Sequence, residues 1–73
     1  MNYETHGPGG KPHPQFILDY IEAHKAANGD APRIWDRGNG WVNLVTQSRN
    51  ISLRRSEVIE MTENLKARVE ANR

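Results

Sequence analysis

APRIWDRGNGWVNLVT, residues 31–46, carries both tryptophans of a 73-residue chain. Its reading decides the fold. Ile34, Trp35, Trp41, Val42, Leu44 and Val45 are bulky or β-branched and are divided by Gly38, Asn39 and Gly40, a pattern of two extended pieces about a turn. An Asn-Gly pair favours the positive φ values of a two-residue hairpin turn, which would lay residues 34–37 beside residues 41–46. The alternative is an extended loop lying across two helices with some apolar side chains tucked beneath it, because a lone two-stranded hairpin is only marginally stable.

Outward from this stretch the periodicity is helical. On the N-terminal side, Pro14 has the φ favoured at a first helical position. Phe16, Ile17, Tyr20, Ile21, His24 and Ala27 then recur at helical spacing, predicting a helix over residues 13–28. Asn28 and Gly29 are its stop, and Pro32 prevents resumption. On the C-terminal side, residues 46–52 read as a polar exit loop with Ile51 and Leu53 dipping towards the core and Ser52 as the N-cap of a second helix. Val58, Met61, Thr62, Leu65 and Val69 make that helix's buried stripe. Glu57 and Glu60 at its start and Arg68 and Arg73 at its end complement the helix dipole, and Glu63 is placed to pair with Lys66. The two stripes are expected to pack on each other.

The expected fold class is therefore mainly α: helix, extended loop or short β-hairpin, helix, in a single domain over residues 14–73. Residues 1–13 contain three glycines and two prolines with few apolar groups, which predicts a flexible tail. Tyr3 is the one aromatic in it, suited to ordering against a partner.

Composition removes several functions. The absence of cysteine excludes disulfides and thiolate metal sites and fits a reducing compartment. No stretch approaches the roughly 20 apolar residues of a membrane helix, and no signal-peptide pattern opens the chain. His6 and His13 lack further ligands at metal-binding spacing, so no metal is expected. His24 reads as a packed stem rather than a general base. Neither GPGGKP nor RGNGWV offers the strand-to-helix context and Lys-Ser/Thr of a phosphate loop, and no Ser is accompanied by a base and an orienting acid. No enzymatic activity and no cofactor are expected.

What the residues do favour is binding. Net charge is only +1, yet it is uneven: residues 47–56 hold Arg49, Arg54 and Arg55 with no acid. Arginine outnumbers lysine seven to three, and the guanidinium fork suits carboxylate or phosphate recognition. Tryptophan and arginine are also the commonest dominant anchors of interfaces. Arg33, Trp35, Arg37, Trp41, Arg49, Arg54 and Arg55 are therefore the candidate partner-binding residues. The plainer reading is that both tryptophans complete a core short of apolar volume.

The succession PQFILDYIEAHKAAN, APRIWDRGNGWVNLVTQ and SEVIEMTENLKARV resembles the small host RNA polymerase-binding transcription regulators of lytic Xanthomonas phages. The resemblance implies a helix, extended loop, helix fold over residues 14–73. It further implies a protein of the host bacterial cytoplasm, expected here as a monomer, that binds the β′ and β subunits of bacterial RNA polymerase. There it would inhibit σ-dependent initiation and promote antitermination, with nucleic-acid contact open within the complex. Two other readings stand beside it: a protein inhibitor of another host complex, and a small nucleic-acid-binding domain in which the arginines meet phosphates and a tryptophan stacks on a base. Glu57, Glu60 and Glu63 following the arginine pair weigh against the last.

Overall fold

A computed structural model describes residues 4–46 and 49–71, with Pro8 described by its backbone alone. Helix α1 spans Gln15–Asn28, and Pro14, at φ −66° and ψ 161°, is its extended N-cap rather than its first helical residue. Gly29 ends α1 in the left-handed conformation at φ 87°, its N–H donating to the Lys25 carbonyl at 2.8 Å, as the Asn-Gly stop predicts. The His24 ring is half-buried, and its Nδ1 lies 2.8 Å from the Asp30 carbonyl, to which it donates across the helix end.

Three antiparallel strands follow: β1 (Arg33–Gly38), β2 (Trp41–Val45) and β3 (Asn50–Arg54), in spatial order β1-β2-β3. The hairpin is the outcome of the first alternative. Gly38 pairs with Trp41, leaving Asn39 and Gly40 at φ 56° and 82° as a two-residue turn, the geometry an Asn-Gly pair adopts at least cost. A bulge between Asp36 and Gly38 re-aims the end of β1, and an Asp36 carboxylate oxygen accepts the Gly38 N–H at 3.0 Å.

The third strand corrects the sequence reading. Residues 46–52 are not simply an exit loop and Ser52 is not an N-cap, since Ser52 sits in β3 opposite Asn43. Thr46 and Arg49 close the turn, the Thr46 N–H donating to the Arg49 carbonyl at 2.8 Å and the Arg49 N–H to Thr46 Oγ1 at 3.2 Å. Gln47 and Ser48 lie outside the described residues. Beyond the turn, Asn50, Ser52 and Arg54 are exposed and alternate with half-buried Ile51 and Leu53. That is a period of two, in which Ile51 and Leu53 reach the core from a strand instead of a loop.

Helix α2 begins at once, spanning Arg55–Ala71. A Glu57 carboxylate oxygen accepts the Arg54 N–H at 3.2 Å, the carboxylate half of a capping box. The fold is therefore α+β, two helices on one face of a three-stranded antiparallel sheet, and neither mainly α nor a helix, extended loop, helix domain.

The core lies between the layers. Ile17, Tyr20 and Ile21 of α1 meet Val58 of α2 over Ile34, Val42 and Leu44 of the sheet, with Phe16, Ala31, Ile51, Leu53, Met61 and Leu65 packed around them. Thr62 is also buried, its hydroxyl donating to the Val58 carbonyl at 2.9 Å. The helices do pack together, but the sheet supplies almost half of the buried cluster. Among the described residues no helix is long and apolar enough to cross a membrane.

Residues 4–13, expected to be flexible, lie here as a narrow loop against β1. The Gly7 N–H donates to the Lys11 carbonyl at 2.8 Å, the His13 N–H to the Thr5 carbonyl at 3.1 Å, and His6 bridges Pro12. Gly7 is buried so closely against β1 that a Cβ there would meet the Trp35 Cβ at 3.1 Å. The Lys25 ammonium meets Glu4 at 2.6 Å, an exposed pair of the kind that contributes little to stability. Tyr3 lies outside the described residues.

Candidate functional site

Strand alternation sorts the sheet into two faces. Ile34, Val42 and Leu44 point to the helices, so their neighbours Arg33, Trp35, Trp41, Asn43 and Val45 point away. The register of β3 adds Asn50, Ser52 and Arg54, paired with Val45, Asn43 and Trp41. Arg37, in the bulge, reaches the same face, with Nη1 donating to Asn43 Oδ1 at 3.3 Å. Asn43 Nδ2 in turn donates to Asn50 Oδ1 at 3.0 Å, so one polar chain crosses all three strands.

Two aromatic surfaces flank that chain. Trp41 is 40% exposed, and the Arg54 guanidinium carbon stands 4.4 Å from its ring centroid. A cation over an indole face is attracted by the ring quadrupole, and the contact also holds the long Arg54 side chain beside the ring. Trp35 is half-buried beside the N-terminal loop. It pairs with Asn43, two residues from Trp41, so the indoles are diagonal neighbours on one face, across the bulged end of the hairpin. A hollow lined by Arg37, Gly38, Asn39, Trp41 and Ser52 opens beside them.

The seven residues predicted from sequence are thus not one cluster. Arg33, Trp35, Arg37, Trp41 and Arg54 share the outer face. Arg49 sits in the β2–β3 turn, exposed at one end of it. Arg55 departs, its guanidinium lying 4.9 Å from the Phe16 ring centroid, towards α1. Sequence reasoning missed Asn43 and Asn50, which link the strands. Their signal was parity, since Asn43 is two residues from Trp41, and Asn50 shares the exposed set with Arg54.

The strands' outward positions hold three arginines and no carboxylate. Acidic groups gather on the helical layer, where Asp19, Glu22 and Glu70 border the groove between α1 and α2. The small net charge therefore conceals a separation of sign between the layers. Among the described residues no three His, Asp or Glu side chains come together as metal ligands. Comparison with known proteins gives no match: no family model, no curated protein and no solved structure is significantly similar to this chain.

Proposed function

We propose that this chain is a non-catalytic binding module that takes single-stranded nucleic acid on the outer face of its sheet. The observation that carries the reading is the placement of Trp35 and Trp41 as diagonal neighbours among Arg33, Arg37 and Arg54, on a face without outward carboxylates. Bases of any sequence stack on aromatic rings, each stack being worth about 1–3 kcal/mol, and a positive surface beside the rings tracks the phosphates. The objection from Glu57, Glu60 and Glu63 is weakened by their place in α2, where Glu57 is engaged by the Arg54 N–H. Titration with single-stranded oligonucleotides, read by tryptophan quenching, should show saturable binding that weakens as salt rises. Tighter binding to a duplex of the same sequence would sink the reading, because duplex bases are not open to stacking.

A second reading is favoured by the Trp41–Arg54 pair, which has the chemistry of a protein-interface anchor. Under it the chain binds the β′ and β subunits of bacterial RNA polymerase, inhibits σ-dependent initiation and promotes antitermination, as the resemblance implies. The helix, extended loop, helix architecture that the resemblance implies is absent, which puts this reading second. Nuclease-resistant recovery of both subunits from a bacterial lysate, with no oligonucleotide binding by the purified protein, would reverse the order.

A further inference from the structure

We infer that the cleft between the N-terminal loop and β1 holds a nucleotide carrying a terminal phosphate. The inference rests on the single-strand reading and extends it beyond the open sheet. The cleft has a volume of about 360 Å³ and is lined on the loop side by Lys11 and His13 and on the strand side by Trp35, Asp36, Arg37 and Gly38. That volume falls within the range of small-ligand sites, about 300–1,000 Å³. A lysine on the loop wall and an arginine on the strand wall suit a phosphate, and the tryptophan on that strand wall suits a base.

Arg37 and Gly38 also line the hollow beside Trp41, so the cleft adjoins the proposed track at its β1 end. A strand lying on Trp41 and Asn43 would thereby end against Lys11. One wall group opposes the assignment, the Asp36 carboxylate, but one of its oxygens is already engaged by the Gly38 N–H at 3.0 Å. The loop wall is set by backbone, through the Gly7 to Lys11 bond of 2.8 Å, so the Lys11 side chain is removable without removing the wall.

The same chemistry is offered by a free nucleotide, and the experiment separates the two sources. Ten-residue oligonucleotides bearing a phosphate at the 5′ end, at the 3′ end or at neither are titrated against the protein and against Lys11→Ala, with Lys11→Arg as the charge-retaining control. An adenosine monophosphate titration runs alongside. One of the phosphorylated ends should bind about tenfold more tightly than the hydroxyl-ended strand, the scale of a hydrogen bond to a charged group. Lys11→Ala should abolish that gain, so that the phosphorylated and hydroxyl-ended strands bind this variant alike, while Lys11→Arg should keep it. Equal affinity for all three strands would overturn the inference and leave the single-strand reading intact. Quenching by adenosine monophosphate with no strand binding would keep the cleft as a nucleotide site and overturn the strand reading. No response to either, or tighter binding of a phosphotyrosine peptide, would overturn the inference.

Discussion

The Arg54 guanidinium lies 4.4 Å from the centroid of the Trp41 indole, each residue paired directly across β2 and β3. The pair joins the two halves of the chain. Trp41 opens the second strand of a hairpin written by local turn chemistry, whereas Arg54 closes a strand that has no turn signal of its own and runs straight into α2. The cation stands over the indole and Trp41 remains 40% exposed, so the pair sits at the surface as a positively charged aromatic platform.

Substitution at this platform should separate binding from folding. Trp41→Ala is expected to lower single-strand affinity by about 1–3 kcal/mol, the usual worth of one stacked base. Arg54→Ala should reduce the salt slope by about 0.7, that of one phosphate contact with a single strand. Both side chains are exposed, so the thermal transition should move little. Anisotropy titrations at several salt concentrations measure both effects; full affinity in stably folded Trp41→Ala would remove the platform from the site.

The turn gives a test of the hairpin. Gly40 holds φ 82°, where an L side chain meets its own carbonyl, so Gly40→Ala should cost about 1–2 kcal/mol. Asn39 at φ 56° is replaceable by glycine with little loss, since Asn and Gly both accept that region. Denaturant melts of the two variants give the comparison, and equal tolerance of both would mean that the turn does not have this geometry in solution.

Packing predicts a hierarchy within the core. Ile17 is fully buried between the layers, so Ile17→Ala should destabilise by about 2–5 kcal/mol, a large share of the stability of a small domain. Leu65 is only half-buried at the edge, and Leu65→Ala should cost clearly less. Equal losses in chemical denaturation would place the core between the helices alone, without the sheet.

The contrast between β2 and β3 explains how much was legible in the sequence. Asn39-Gly40 announces its turn locally, and both helices announce themselves by apolar spacing and by the Asn28-Gly29 stop. Strand β3 is written only in alternation, and its outward residues Asn50, Ser52 and Arg54 have the composition of a loop. It is a strand because β2 supplies its hydrogen bonds and the helices cover Ile51 and Leu53, relationships that no local window contains. The proposed binding face was legible as a set of residue types. Its membership was not, because Arg54 and Arg55 are neighbours in sequence yet turn to Trp41 and Phe16 on different sides of the molecule.

Alkaline pH should expose the burial of Tyr20. Burial pushes its phenol above the ordinary 10.0, since the phenolate would lose its hydration between α1 and the sheet. The folded state thus prefers the neutral form. Its contribution is complete below the unfolded value near pH 10 and is lost as pH rises through the higher folded value. Tyr20→Phe should flatten this alkaline fall, and denaturation midpoints measured from pH 8 to 11 would detect it. An identical fall in the variant would assign the effect to other groups.

The N-terminal loop should open far more readily than the domain it rests on. Among the described residues its ties include the Gly7–Lys11 and Thr5–His13 backbone bonds, the Glu4–Lys25 pair and the close approach of Gly7 to Trp35. Segments with few buried apolar contacts open locally at a small fraction of the global unfolding free energy. The amides of Gly7 and His13 should therefore exchange much faster than those of Ile17 or Val42. In a Trp41→Phe background, which leaves Trp35 as the sole indole, deleting residues 1–10 should shift the emission to longer wavelength as the ring meets water. The thermal transition should stay close to that of the full chain, because the buried cluster of the described residues contains none from this segment. An unshifted emission would mean that the loop does not cover Trp35 in solution, and a collapsed transition would make the loop part of the cooperative fold.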